Sequence, residues 1–255
     1  MKFDELDNQM RVFETAHDYC VLPGIHIVAR LDGRSFTRLT KEVHDFTAPF
    51  DVRFRDLMLD TVENLMIEFS AVYGYTQSDE ISLLLPIETT IFNRKLRKLT
   101  SVMAACASAK FSLSLGAMAC FDCRICELPQ AQQVVDYFRW RHEDAHRNAL
   151  EAHCYWLLRR QGLNAATAAK SLAGLPQGGK TALLSRHGIE FADLPPWQKR
   201  GVGLFWGVYQ KEGLNPVTGQ RVTATRRRLQ REVQLPLKDA YGDFVRTFVD
   251  APRSG

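Results

Sequence analysis

Two aspartates set the chemistry that this sequence can support. Asp32 stands in the run Arg30-Leu31-Asp32-Gly33-Arg34-Ser35-Phe36, and Asp79 in Gln77-Ser78-Asp79-Glu80-Ile81-Ser82. Carboxylates brought together from neighbouring strands, with one side open, suit a pair of Mg²⁺ ions, because Mg²⁺ takes oxygen ligands and keeps positions free for substrate phosphates. Gly33 lets a backbone carbonyl approach the same ions. Either aspartate alone reads as ordinary turn chemistry. The specific strings around them are what mark the two as a pair.

Other strings match catalytic expressions, and their surroundings argue against them. Gly174-Leu175-Pro176-Gln177-Gly178-Gly179-Lys180-Thr181 fits the phosphate-loop pattern G-x-x-x-x-G-K-T, but that loop needs a strand immediately before it to feed a helix amino terminus. Ala165 to Leu172 is alanine-rich and reads as helix. His142-Glu143-Asp144-Ala145-His146 fits H-E-x-x-H on a helix, yet the G-x-x-H continuation is absent after Arg147, leaving His153 as the substitute third zinc ligand. Cys120, Cys123 and Cys126 form C-x-x-C-x-x-C without a fourth ligand. On a strand Cys123 points away from the other two, which lie roughly 20 Å apart at about 3.3 Å per residue, so ordinary thiols are expected. Arg226-Arg227-Arg228, with Arg221 and Arg231, reads equally as a solvated face or an RNA-phosphate contact.

The aspartates need a scaffold, and the flanking patterns supply one. Ile25 to Leu31, bounded by Pro23-Gly24 and Asp32-Gly33, predicts a strand with Asp32 at its carboxyl end. Ala71 to Thr76 and Ile81 to Leu85 predict a hairpin whose polar, solvated tip is Gln77 to Glu80. Phe54, Leu57, Met58, Val62, Leu65 and Phe69 predict a helix from Arg53 to Phe69; Phe92, Leu96, Leu99, Met103 and Cys106 predict another; Ala117 to Cys126 predicts a further strand. Strand, helix, strand, strand, helix, strand is the ferredoxin-like βαββαβ unit, an α+β fold with both helices on one face of an antiparallel sheet and the other face free for chemistry. Phe3, Leu6, Met10 and Phe13 predict an amphipathic helix packed across a larger body. Past Pro129, helices are expected over Gln132 to Gln161, Asn164 to Leu172 and near Thr181 to Arg186. Asp193 to Val208 reads as loop then strand, and a turn at Asn215-Pro216 and Gly219 precedes a basic segment to Arg231. The expected organisation is a catalytic domain over 1–129, with its N-terminal helix, and a helical, basic region over 130–255 packed with it as one unit.

With 255 residues, 45% hydrophobic and 24% charged, the chain has the composition of one or two folded domains, which disfavours disorder and collagen-like repeats. Its most apolar stretch, Ser101 to Phe121, is interrupted by Lys110 and by serines, so no membrane partner is expected. Met1 to Met10 lacks the apolar core of a secretory signal, and six cysteines read as reduced thiols; both predict a cytoplasmic protein. A net charge of +4 permits a nucleic-acid partner without requiring one.

The strings around the two aspartates resemble those of the tRNA-His guanylyltransferases and their guanylyltransferase-like relatives, the 3′-to-5′ RNA polymerases, which carry R-x-D-G-R-x-F after the first strand and Q-S-D-E on the palm hairpin. The resemblance continues through Phe92 to Lys98, Trp140-Arg141 to Trp156, Gly174 to Leu184 and Arg200-Gly201 to Trp206. It implies a polymerase-type palm with two Mg²⁺ ions on Asp32, Gly33 and Asp79 and an essential acid at Glu80. It further implies nucleotide contacts from Arg30, Arg34, Ser35, Phe36, Thr37 and Ser78, phosphate contacts from Lys95, Lys98 and Lys180, and RNA contacts from His146, Asn148, Arg226, Arg227 and Arg228. The implied reaction is Mg²⁺-dependent addition of GTP or another nucleoside triphosphate to the 5′ end of a tRNA by a homotetramer, with ATP activating 5′-monophosphate ends. Family members that activate such ends often place a lysine before the proline matching Pro49 and asparagines at two helix positions, where this chain has Ala48, Ala149 and Ala152. Those departures weaken the activating-ATP site and point to template-dependent 5′-end repair over obligatory addition of one G to tRNA-His. A nucleotidyl cyclase and a non-catalytic RNA-binding module are the alternatives. The long basic C-terminal half argues against the first, and intact Asp32, Asp79 and Glu80 against the second.

Overall fold

The computed structural model describes residues 2–214 and 219–250. In chain order its helices are α1 (Phe3–Thr15), α2 (Phe36–Arg38), α3 (Val52–Glu68), α4 (Leu96–Leu115), α5 (Ala131–Arg160), α6 (Ala165–Leu172), α7 (Gln177–Ser185), α8 (Pro196–Arg200) and α9 (Lys238–Val249). The strands are β1 (His26–Gly33), β2 (Tyr73–Gln77), β3 (Glu80–Leu84), β4 (Phe121–Leu128), β5 (Val202–Leu214) and β6 (Arg221–Glu232), in the antiparallel order β4-β1-β3-β2-β5-β6. The first four strands with α3 and α4 form the expected βαββαβ unit. The two-residue period of β1 sends Ile27, Ala29 and Leu31 toward Met58, Val62, Leu65, Leu99, Met103 and Phe111 of α3 and α4.

The opposite face is not free. Val28, Tyr73, Tyr75 and Leu84 make it apolar as well, and α5 and α9 cover it through Val134, Val135, Phe138, Tyr241 and Val245. A sheet apolar on both faces must be covered on both. What stays open is one end, where β1 runs out beside the β2–β3 turn. That turn is tighter than its polar tip suggested: Gln77 and Glu80 are paired strand residues, leaving only Ser78 and Asp79, with Ser78 at φ 53°.

The C-terminal half contains the strand expected before Val208, and that strand belongs to the sheet. β5 extends the same sheet by pairing Tyr73 to Thr76 with Phe205 to Val202, and the basic segment is strand β6. The short helix α8 falls where a loop was expected. The turn at Asn215-Pro216 lies outside the described residues, while Gly219 has φ 69°. Helix α1 forms as its periodicity predicts but buries none of its residues, and Phe3 and Phe13 are 78% and 73% exposed. Among the described residues no helix is long and apolar enough to cross a membrane.

Arg94 ties the entry of α4 to the first strand. Phe92, Asn93 and Arg94 all carry positive φ, and the buried Arg94 guanidinium donates to the carbonyls of Val21, Leu22, Ile25, Ile87 and Thr89 at 2.6 to 3.2 Å. These are loop carbonyls with no strand ladder to accept. Arg94→Met removes these bonds, leaving only the Leu22 carbonyl with the Ile25 amide as a further donor, and is expected to lower unfolding stability by about 3 kcal/mol, measurable in urea titrations.

Candidate active site

Backbone hydrogen bonds fix the two aspartates before their side chains act. Asp32 stands opposite Glu80 across the β1–β3 ladder, and the Gly33 amide donates to the Asp79 carbonyl at 3.1 Å. The Arg34 amide donates to the Cys120 carbonyl at 2.8 Å. Gly33 has no substitute here, since a Cβ would sit 2.5 Å from the Phe36 ring that packs behind it. Beyond it Ser35, at φ 60°, turns the chain into α2.

Both carboxyls titrate above the ordinary range. Asp32 is raised by burial first and then by Glu80, with Arg30 opposing. Asp79 is pushed up to about 6, chiefly by burial, with Asp32 adding to it. Asp79 is half-buried, contrary to the solvated tip expected. Two partly desolvated carboxylates that disfavour each other's charge are an oxygen-only donor set that a divalent cation would relieve. Among the described residues no cluster of three or more His, Cys, Asp or Glu can hold a metal by itself. Mg²⁺ does not need one, because it is commonly held by one or two carboxylates plus substrate phosphates. The residues fit Mg²⁺ shared with a triphosphate.

A cavity of about 330 Å³ opens beside the pair, lined by Thr37, Lys41, Phe50, Arg55, Ser78, Asp79, Glu80, Asn148, Ala149, Ala152, Trp156 and Trp197, among others. The Lys41 ammonium lies 5.8 Å over Trp156 and donates to the Thr47 carbonyl at 3.2 Å; the Arg55 guanidinium lies 4.8 Å over Trp197. Aromatic faces beside cations suit a base and its phosphates.

Phe36, Thr37, Ser78, Asp79, Glu80 and Asn148 lie on that wall. Phe36 is 2% exposed, its ring set among Phe54, Phe111 and Phe121. Arg30 is engaged by Glu80 at 2.5 Å and lies 3.6 Å from Asp32. Arg34 and Ser35 stand at the exposed bend. Lys95 and Lys98 are off the cavity wall; Lys95 precedes α4 and is ion-paired with Asp18, and Lys98 is exposed. Lys180 pairs with Glu151 of α5 at 2.5 Å. Arg226, Arg227 and Arg228 are exposed on β6, where strand alternation turns Arg227 toward Trp206 and Arg228 toward Tyr209 on the other face. The triplet is not one patch.

The G-x-x-x-x-G-K-T string spans the turn between α6 and α7, with no strand before it. Cys123 and Cys126 face opposite cores across β4. His142 stacks on Tyr241 at 4.2 Å, His146 lies against Phe191, and His153 against Phe50. Burial first, then Arg200, draws the His142 pKa down to about 4; burial first, then Arg160, does the same at His153. Unfolded histidines protonate near 6.5, so the unfolded chain binds more protons between about pH 6.5 and 4, and stability falls as pH drops through that window. Each histidine contributes at most about 3 kcal/mol. Melting temperatures scanned over this range should fall toward acid, and His142→Phe should flatten the slope.

Lys41, Arg55, Trp156, Trp197 and Arg141 were not singled out from the sequence. Arg141 and Trp156 share α5 and appear in the sequence only as bounds of the Trp140-Arg141 to Trp156 stretch, while Lys41, Arg55 and Trp197 come from other segments, and the cavity groups them.

Residues 7–129 match the family model described as tRNAHis guanylyltransferase, and residues 132–240 match the Thg1 C terminal domain. The tRNA(His) guanylyltransferase of Saccharomyces cerevisiae is 32% identical over 75% of this chain and 86% of its own length. Two solved structures of a bacterial tRNA(His) guanylyltransferase (Thg1)-like protein superpose closely. The complex with GTP has a TM-score of 0.73 at 26% identity, covering 97% of this chain and all of that one. The complex with ATP has a TM-score of 0.74 at 27% identity, covering 96% and 99%.

Proposed function

This chain belongs to the tRNAHis guanylyltransferase family, and from that premise we propose that it adds nucleotides to the 5′ end of a tRNA, in the 3′-to-5′ direction, at the Asp32–Asp79 pair. The 3′-hydroxyl of the incoming nucleotide attacks the α-phosphorus of an RNA 5′-triphosphate, the α–β phosphoanhydride bond breaks, and pyrophosphate leaves; on a 5′ end activated by ATP the leaving group is AMP. Mg²⁺ held by Asp32, Asp79 and the Gly33 carbonyl would lower the pKa of that hydroxyl and offset charge on the triphosphate oxygens. The protein positions the rest. Ser78 and Thr37 border the carboxylates and suit phosphate or sugar oxygens, while Lys41 and Arg55 present cations, and Phe50, Trp156 and Trp197 ring faces, along the same wall. Lys95, once released from Asp18, Lys98 and Lys180 are assigned to phosphates, and His146, Asn148 and the β6 arginines to the RNA.

The observation that carries this reading is the backbone clamp that holds Asp32 beside Asp79, with Asp79 and Glu80 on the wall of a nucleotide-sized cavity. Six free cysteines suit a reducing compartment such as the cytoplasm. The uncovered apolar face of α1 suits assembly into a homotetramer, to be checked by light scattering. Ala149 and Ala152 on the wall favour repair of truncated 5′ ends over obligatory G addition. Incubation of labelled GTP and tRNA with Mg²⁺ tests the reaction: label must enter the RNA. A cyclase would give a small cyclic product, and a binding module no product.

A further inference from the structure

Glu80 stands directly across the ladder from Asp32, an arrangement of like charges that is unfavourable unless something intervenes. Both Glu80 oxygens are taken. One accepts from Arg30 at 2.5 Å, and the other accepts from Arg141. The Arg30 nitrogen that holds Glu80 also lies 3.6 Å from the Asp32 carboxylate. Arg141 reaches down from α5, is 5% exposed, donates to Asp144 at 3.2 Å and lies 4.8 Å over Trp140. Asp144 in turn accepts from Arg147 and Asn148. Charges of alternating sign therefore run from Asp32 through Arg30, Glu80, Arg141 and Asp144 to Arg147, linking the end of β1 to the helix that covers it.

We propose that Arg141 is a positioning residue for nucleotide addition: it pins Glu80, and through Glu80 and Arg30 it sets the place and effective charge of the Asp32 carboxylate. The proposal rests on the reading of the Asp32–Asp79 pair given above. Glu80, each oxygen accepting from one arginine, acts as a tie between the two. Loss of Arg141 frees one Glu80 oxygen and leaves its charge uncompensated beside Asp32. The site then becomes more negative and less fixed, so cation affinity and turnover move in opposite directions. A residue that merely supported the fold would weaken both together.

The full-length protein is titrated with Mn²⁺ alone, followed by the paramagnetic signal of the free ion, and assayed separately for nucleotide addition. Arg141→Met is expected to tighten Mn²⁺ binding about tenfold and to lower kcat about 10²-fold, with the nucleoside triphosphate KM within about threefold of wild type. Arg141→Lys keeps the charge but not the planar fork, so it should restore Mn²⁺ affinity and only part of kcat. Asp144→Asn loosens Arg141 from its other side and should lower kcat less, by about threefold to tenfold. Unchanged kcat in Arg141→Met, or Mn²⁺ affinity and kcat falling together, overturns the proposal; if that variant does not fold, Arg141→Lys and Asp144→Asn decide it by the same criteria. An inactive wild type would instead refute the underlying reaction. An active wild type matched by its Arg141 variants would refute the positioning role alone.

Discussion

Asp79→Ala is expected to lower nucleotide addition by at least about 10³-fold while leaving the fold intact and its melting temperature unchanged or slightly raised. The contribution of Asp79 to the fold is its backbone: its carbonyl accepts the Gly33 amide, and alanine keeps that bond. The positive φ of the turn belongs to Ser78, so alanine at position 79 adds no strain there. The side chain is a different matter. Burial and Asp32 push its carboxyl up to about 6, so at neutral pH the folded state holds a charge that the unfolded chain carries more easily. Removing it relieves repulsion in the protein alone and removes half of the ligand pair in the loaded enzyme. Melting curves paired with labelled-nucleotide assays separate the two effects. Near-normal turnover at saturating Mg²⁺ would overturn the two-carboxylate site, and a large loss of stability would mean that the turn needs the carboxyl.

Local periodicity made the palm legible because apolar spacing reports which face of an element is buried. β1, α3, the β2–β3 hairpin, α4 and α5 all followed from it, each with shifts of a few residues at the ends. The start of β5 was also expected, but strand β6 and the β5–β6 pairing were not, for a physical reason. Most of the hairpin projects into solvent, so Arg221 to Arg231, with three arginines in a row, carries little burial signal, and the pairing of β5 with β2 is a long-range fact. Tyr73 and Tyr75 stand two residues apart and so share one face of the sheet, the face that α5 and α9 cover. Their hydroxyls are satisfied by Tyr241 and the Arg200 carbonyl. In the site, Asp32 and Asp79 were readable because each sits in a specific string. Arg141 was not, because its meaning lies in reaching Glu80 from a different layer. Lys95 reads as a free phosphate contact until its ion pair with Asp18 is seen.

A tRNA lacking its first nucleotide should be extended about 10²-fold more efficiently when it bears a 5′-triphosphate than when it bears a monophosphate supplied with ATP. The cavity wall gives the reason. Ala149 and Ala152 of α5 line the same cavity as Pro49, and the residue before that proline is Ala48, whose carbonyl accepts from Arg160. These are the positions where family members that activate monophosphate ends often offer amides and a lysine. Each missing charge-assisted contact weakens binding of a second triphosphate by about 1.5 to 3 kcal/mol. Lys41 is the lysine left on this stretch of wall, and its ammonium is held at the Thr47 carbonyl, with its pKa lowered by burial. Lys41 and Arg55 would then have to serve two triphosphates, which leaves the activating one short. Pre-formed triphosphate bypasses the shortage because pyrophosphate is already in place as leaving group, and the metal-binding carboxylates are untouched. Ala48→Lys should then raise the monophosphate route with ATP while changing the triphosphate route by less than about threefold. The base added should pair with the opposing strand of the acceptor stem, since pairing selects a nucleotide without a dedicated guanine contact. Equal efficiency on the two 5′ ends would refute the activation argument. Addition of G whatever base stands opposite would refute template-dependent repair and return the chain to obligatory G addition on tRNA-His.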